Sequence, residues 1–411
     1  RLDPSFGGAG TVIHQHGGTL KWAPALDEYA GQPYAMAIDS KDRILVGGGS
    51  GAALLVVRYL PDGSLDESFG QGGEFRFFNE FDTGTGFDDP DFSDPRVKAI
   101  VARKDGRIML VAQTFRPSSA FAEGTPEDFL IMLNEDGTRD TTFGVRPGIV
   151  EPANVVVGSI PRSAIYDKSG KLLIAGSSIT ELDDWGYATQ YSGYIQRRNA
   201  DGSGDPDFGG NALAYDGMSP LEGFFQFRPG GEPPYSAITK LKLAGGGRIL
   251  GAGHDRNRFM LTRLTSKGRL DRTFGNGRRP GISIANFGGR KCFCVGGGDM
   301  ATTPGGKVVQ VGYSSYPFKD RIATIAMVRY LPGGRVDRKF GKNGFAFTVL
   351  QPWVRSTSIA IQRNGRILVT ARAGYASRSK FMILRFLPDG RPDTSFFDHG
   401  RYVTAIGPKV S

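Results

Sequence analysis

Leu60-Pro61-Asp62-Gly63-Ser64-Leu65-Asp66-Glu67-Ser68-Phe69-Gly70 decides the fold, because it recurs. Related segments open the chain at Arg1-Leu2-Asp3-Pro4-Ser5-Phe6-Gly7, run up to Gly144, Gly209, Gly275 and Gly341, and close it at Ser395-Phe396-Phe397. The Phe of the seven copies falls at 6, 69, 143, 208, 274, 340 and 396, giving spacings of 63, 74, 65, 66, 66 and 56. Such a period, constant but for insertions, marks one structural unit repeated with loops of different length.

Outward from the motif, each unit reads as four strands. In the last copy, residues 357–362 alternate small and apolar side chains, Asn364-Gly365 makes a hairpin turn, and 366–371 form a second strand. A third strand, 381–387, leads into Pro388-Asp389-Gly390, and 401–405 form a fourth. Asn-Gly and Asp-Gly suit two-residue turns because their positive φ matches the twist of the flanking strands. A four-stranded meander leaves open edges and unburied faces, and packing copies radially covers both. The expected fold is all-β: a single β-propeller of six four-stranded antiparallel blades over residues 1–411, with seven blades, one degenerate, as the alternative. The blades fall at about 34–78, 96–151, 161–215, 235–285, 295–349 and 355–406, and 1–16 supply a closing strand (11–15); 401–406 offer a similar strand.

Composition agrees. The 411 residues include 60 Gly and 24 Pro, too many for a helical protein, and the 39% of hydrophobic residues, with 28 Phe, suffice for a core. No apolar stretch reaches the 18 residues or more that a membrane-spanning helix needs.

The units resemble the delta-60 repeat family, whose copies carry Asp-Gly-Lys/Arg-Ile-Leu-Val followed by Leu-Asn/Pro-Asp-Gly-x-Leu-Asp-x-Ser-Phe-Gly. Residues 60–70 fit in full and 387–396 nearly so, while the copies at 201–209 and 333–341 are worn, with Gly204 and Val336 in place of Leu. The resemblance covers nearly the whole chain. It implies a propeller of a bacterial secreted or envelope-associated protein, and no particular activity. The chain starts without Met one residue before the motif, as removal of a signal peptide, or any trimming, would leave it.

The recurring Asp (Asp3, Asp66, Asp140, Asp205, Asp271, Asp337, Asp393) reads as a turn stabiliser that accepts backbone N–H groups, since seven copies cannot all be one active site. The recurring Phe reads as a core plug between blades. Function is expected on the opposite, variable loops. All three Trp, Trp22, Trp185 and Trp353, fall there with Tyr187, Tyr191, Tyr313, Tyr316 and Tyr375, and exposed aromatic faces suit a glycan or protein partner. Tyr29, Phe224 and Phe225 lie in the same loops.

Residues 1–200 carry 19 Lys plus Arg against 27 Asp plus Glu, and residues 201–411 carry 32 against 14. Acidic and basic halves suit steering of a charged partner or assembly into an oligomer. The cations are scattered without interleaved aromatics, which speaks against nucleic acid. No cofactor is expected, with Ca²⁺ the one candidate: Asp82, Asp88, Asp89, Asp91 and Asp94 offer hard oxygen ligands in a Gly-bearing loop that matches no EF-hand. His14 and His16 lack further metal ligands, and Cys292 and Cys294 lack the second pair of a zinc site.

The leading functional reading is a non-catalytic binding or scaffold propeller. One alternative is a glycoside hydrolase or polysaccharide lyase using loop carboxylates such as Asp27, Glu28, Asp183, Asp184 and Glu222, or a Tyr. The other is a structural subunit of an extracellular assembly. A nucleophile elbow, P-loop, dinucleotide fingerprint and HExxH sequence are all missing, which favours the non-catalytic reading.

Overall fold

A computed structural model describes residues 3–8, 10–12, 14, 32–50, 53–78, 95–118, 121–144, 148–150, 158–182, 188–209, 223–227, 236–256, 258–275, 279–285, 297–315, 323–350, 354–373 and 380–404. The protein is a six-bladed all-β propeller, each blade a four-stranded antiparallel sheet in simple sequential order. The first blade comprises β1 (Gln32–Ile38), β2 (Ile44–Ser50), β3 (Ala53–Tyr59) and β4 (Glu74–Phe78). The second has β5 (Arg96–Ala102), β6 (Ile108–Ser118), β7 (Phe121–Leu133) and β8 (Ile149–Val150), and the third β9 (Ser159–Tyr166), β10 (Leu172–Leu182), β11 (Ala188–Arg198) and β12 (Phe224–Gln226). The fourth has β13 (Ser236–Ala244), β14 (Arg248–Asp255), β15 (Arg258–Leu264) and β16 (Ile282–Ala285). The fifth has β17 (Gly297–Thr302), β18 (Val308–Ser315), β19 (Ala323–Tyr330) and β20 (Phe345–Leu350), and the sixth β21 (Val354–Ile361), β22 (Ile367–Ala373), β23 (Lys380–Phe386) and β24 (Arg401–Thr404). The chain divides into two compact units, one built mainly on blades one to three and the other on blades four to six.

Of the two segments that suit the fourth strand of the last sheet, the structure uses the C-terminal one, β24. The N-terminal motif copy docks on the first blade, where the Gly7 amide donates to Asp62 O at 2.8 Å; the strand expected at 11–15 falls partly outside the described residues.

The recurring Asp is a clamp that explains why the motif repeats. Its Oδ1 accepts the amide of the residue two positions on and, where that residue carries a hydroxyl, the hydroxyl as well: Ser68 on Asp66, Thr142 on Asp140, Thr273 on Asp271 and Ser395 on Asp393. Its Oδ2 accepts Nε of an Arg eight residues earlier on the third strand: Arg58, Arg197, Arg263, Arg329 and Arg385, at 2.5–2.9 Å. A second cation from the start of the second strand joins at 2.8–2.9 Å in four blades: Lys171, Arg248, Lys307 and Arg366. In blade two, where Met132 replaces the Arg, Arg107 is the one cation on Asp140 among the described residues, at 3.1 Å.

Five of the motifs grip the next blade. Phe69, Phe143, Phe208, Phe274 and Phe340 are buried. Within each unit these rings lie against the turn glycines of the following blade: a Cβ on Gly137, Gly202, Gly268, Gly334 or Gly390 would meet the ring at 2.7–3.2 Å. The glycine after the Phe donates its amide to the same turn, as Gly70 to Asp136 O at 2.7 Å and Gly341 to Asp389 O at 2.7 Å. Apolar clusters fill the remaining space between blades; Leu54, Phe77, Val97, Leu110 and Phe129 belong to the one joining the first two.

The clamps make an acid prediction. Burial alone would raise the Asp271 carboxyl, but the Thr273 hydroxyl and amide and the Arg263 guanidinium outweigh it and hold the pKa at about 2 against 3.8. A depressed carboxyl stabilises the fold fully above its unfolded pKa and loses that contribution as pH falls through the folded one. Thermal melting should therefore hardly change down to pH about 4 and fall steeply between about 4 and 2, with Asp271 supplying on the order of 2 kcal/mol. Asp271→Asn should lower the melting temperature at pH 7 and flatten that acid limb; an unaltered limb would rule out the clamp as its source.

Candidate functional site

Every first strand carries a β-bulge at the equivalent place. The pairing slips between Pro33 and Ala35 in β1, between Val97 and Ala99 in β5, and between Pro161 and Ser163 in β9. The residues left unpaired are Tyr34, Lys98 and Arg162, spaced by 64 residues each time. A bulge bends its strand and re-aims the extra side chain, so bulges often serve sites. β1 packs on β5 and β5 on β9, which brings the three positions onto neighbouring strands of one unit.

Arg96 completes the group. Its Nη1 donates to the Tyr34 hydroxyl at 2.6 Å, and its guanidinium lies 5.2 Å from the Tyr34 ring centre. The Lys98 ammonium lies 5.1 Å from the same ring centre. Tyr34 is 38% exposed, Arg162 is exposed, and Arg96 and Lys98 are half-buried. Burial, then Arg162 and Arg96, push the Lys98 pKa down from 10.5 to about 8. A lysine so placed costs stability at neutral pH, since folding disfavours its charged form; that cost is relieved as pH rises from about 8 to 10.5. Groups that strain the fold in this way cluster at functional sites.

The other unit treats the same positions differently. Its bulges fall at Thr239, at Gly298 and Asp299, and at Thr357. The Thr239 hydroxyl donates to Gly298 O at 2.8 Å, and the Asp299 carboxylate accepts Ser358 Oγ at 2.5 Å and the Ile359 amide at 3.2 Å, with Lys240 Nζ 3.4 Å away. There the bulge side chains stitch adjacent first strands together. In the first unit the bulge residues Tyr34 and Lys98, with Arg96 beside them, place two cations around an aromatic ring, an arrangement that takes an anionic group and stacks a flat or sugar face beside it.

A concavity of about 700 Å³ opens between the motif loops of blades one and two and is lined by Glu74, Arg76 and Arg139. Its carboxylate is already engaged, by His14 Nε2 at 2.9 Å and Arg76 Nη2 at 2.7 Å.

The residues singled out on the variable loops fall mostly outside the described residues. This applies to Trp22, Tyr29, Trp185, Trp353, Tyr187, Tyr316 and Tyr375, and to the calcium candidates Asp82, Asp88, Asp89, Asp91 and Asp94. It applies equally to Asp27, Glu28, Asp183, Asp184, Glu222, His16, Cys292 and Cys294. Tyr191 lies half-buried on β11 and Tyr313 half-buried on β18; Phe224 is buried in β12 with Phe225 beside it. Tyr34, Arg96, Lys98 and Arg162 were not singled out by sequence. The available signal was the 64-residue recurrence at the start of three blades, which falls on three different residue types.

Comparison with known proteins agrees with the architecture. A family model described as a domain of unknown function (DUF5122) beta-propeller matches residues 42–69 and 362–396, the second strand to the motif of the first and last blades. No curated protein matches. Among solved structures, a polysaccharide lyase of family PL25, an ulvan lyase, is similar with TM-score 0.50 and 10% identity over 88% of this chain and 82% of that one. The same lyase bound to a saccharide gives 0.49 and 11% over 88% and 82%. Virginiamycin B lyase from Staphylococcus aureus gives 0.39 and 9% over 86% and 83%. At such identity the likeness concerns the fold alone. The chain is thus a β-propeller, similar over its first and last blades to the DUF5122 β-propeller family.

Proposed function

We propose that this protein is a non-catalytic binding propeller that recognises an acidic glycan, one bearing carboxylate or sulfate groups, through Tyr34, Arg96, Lys98 and Arg162. The observation that carries the reading is the convergence of three bulge residues on adjacent first strands into one cationic, aromatic cluster. A guanidinium gives the forked donors that planar anions need, the ammonium adds a compact charge, and the Tyr34 ring offers a sugar its face. An extracellular glycan also suits the secreted or envelope setting that the repeat resemblance implies.

Isothermal titration with a sulfated or uronate-containing oligosaccharide, against its neutral counterpart, tests the proposal. The acidic ligand should bind and the neutral one should not. Lys98→Ala and Arg162→Ala should each weaken binding by about 10- to 100-fold, the worth of one charge-assisted contact. Affinity should decline as pH rises from 7 through the Lys98 pKa of about 8, well before an ordinary lysine would titrate. Equal binding of neutral and acidic ligands, or full affinity in both variants, would sink the reading.

One observation favours a second reading. A lysine with pKa about 8 over the ring of a tyrosine whose hydroxyl is held by Arg96 brings two proton-bearing groups into one cluster, and elimination from a uronate needs such groups to move a proton. Growth of the ultraviolet absorbance of an unsaturated uronate during incubation with the acidic ligand would establish a lyase instead of a binder.

A further inference from the structure

Lys98 is a lysine set among cations. It is the unpaired residue of the β5 bulge, half-buried, with its ammonium 5.1 Å from the Tyr34 ring centre. From β5 itself comes Arg96, whose guanidinium lies 5.2 Å from the same ring centre and whose Nη1 donates to the Tyr34 hydroxyl at 2.6 Å. From β9 comes Arg162, the bulge residue of the next blade. The paired strand β6 sets the uncharged Gln113, Ala112 and Val111 opposite Arg96, Val97 and Ala99.

The other unit shows what a lysine beside a bulge takes where a carboxylate is at hand. Lys240 follows the bulge residue Thr239, and its Nζ lies 3.4 Å from Asp299 Oδ1. At Lys98 the charges that act are those of Arg162 and Arg96. Two guanidiniums around one amine disfavour the ammonium and favour an anion in its place. Together with burial they bring the pKa to about 8, so roughly a quarter of the side chain is free amine at pH about 7.5, against about one part in a thousand for a lysine at 10.5. A free amine is a nucleophile, and carbon dioxide is the small electrophile that turns it directly into an anion.

We infer that Lys98 is a carbamate-forming lysine, its Nζ taking up carbon dioxide and the resulting anion being held by the Arg96 and Arg162 guanidiniums. The Nζ lone pair forms a bond to the carbon of carbon dioxide, one C–O π bond opens to leave its electrons on oxygen, and one N–H proton goes to solvent. Loss of carbon dioxide with uptake of a proton reverses the step, and no oxidant or reductant takes part.

A planar carbamate presents two oxygens as a carboxylate does, and a guanidinium grips such a group with two parallel N–H donors. The reaction also reverses the charge at position 98. Affinity of the cluster for an acidic glycan therefore falls as dissolved carbon dioxide rises, a consequence that alone rests on the binding reading.

NMR of the full chain in isotope-labelled bicarbonate tests this, with trialkyloxonium trapping and peptide mass spectrometry to place the label. At pH about 7.5 Lys98 should carry the carbamate at about 100-fold the yield of any ordinary lysine, following its free-amine fraction. The α-amino group, which titrates at pH about 8, is the competing acceptor. Lys98→Arg keeps a cation and removes the acceptor, so the Lys98 signal should vanish while the α-amino signal stays. Arg96→Ala and Arg162→Ala should each lower the Lys98 yield about tenfold or more, by raising the amine's pKa and by taking away one hold on the anion. Circular dichroism melting identifies any variant that has failed to fold; if Arg96→Ala does, Arg162→Ala at the exposed position carries the comparison. Label on the α-amino group alone, or a Lys98 yield no higher than that of the other lysines, would overturn the inference. So would an undiminished yield in the folded Arg variants. No glycan is present in this test, so its failure and that of the binding proposal are separable.

Discussion

Replacing Asp337 by Ala is expected to destabilise the protein by about 3 kcal/mol, because it removes one member of a buried ion cluster and leaves the rest without a partner. Asp337 is 4% exposed and accepts Arg329 Nε and Lys307 Nζ, both at 2.9 Å, and the Lys339 amide at 3.2 Å. Without it the Arg329 guanidinium stays on Phe340 with its charge uncompensated, and the plug that fastens blade five to the Pro388 turn loses its support. Urea unfolding followed by circular dichroism measures the loss. Arg391→Ala is the comparison, since the Arg391–Asp389 pair is 74% and 44% exposed and should contribute under about 1 kcal/mol. Equal effects of the two substitutions would show that the clamp is no more than a surface pair.

Gly268→Val should cost about as much for a different reason. Gly268 has φ +73°, and a Cβ there would lie 2.5 Å from the Gly209 amide nitrogen and 2.9 Å from the Phe208 ring. A β-branched residue in the left-handed region costs roughly 1–3 kcal/mol by itself, and forcing Phe208 out of its seat adds roughly 1–3 kcal/mol. Gly170→Val separates the two contributions, because Gly170 has φ +81° with nothing within 4 Å of the Cβ position. It should show the backbone cost alone. Thermal denaturation of the two variants side by side measures the difference; if they melt together, the Phe208 seat contributes nothing.

Much of the scaffold was legible because it is local. An Asp-Gly turn fixes a positive φ within a few residues, and Asp66, Asp140 and Asp271 bond the amide two positions on, so motif and consequence sit in one short segment. The Arg at eight residues before the Asp was equally within reach, since Arg58, Arg197, Arg263, Arg329 and Arg385 repeat with the period. It passes unnoticed because a third-strand cation reads as an exposed face until the structure shows Arg58 1% exposed. The seven motif copies could be counted, but not which turn each one enters.

The candidate site was not legible, and the reason is physical. Whether Tyr34, Lys98 and Arg162 are re-aimed depends on a slip in pairing with the second strand, which is a property of two strands and not of either sequence. Nothing in Pro33-Tyr34-Ala35 or Val97-Lys98-Ala99 distinguishes a bulge from continuous alternation. The sequence by itself determined the blade, its period, its turns and the Asp and Phe that repeat with it, because those rest on backbone geometry and contacts between near neighbours. Only the tertiary structure decided that three first strands bring their unpaired side chains together and that β24 completes the last sheet, because those depend on which distant strands meet.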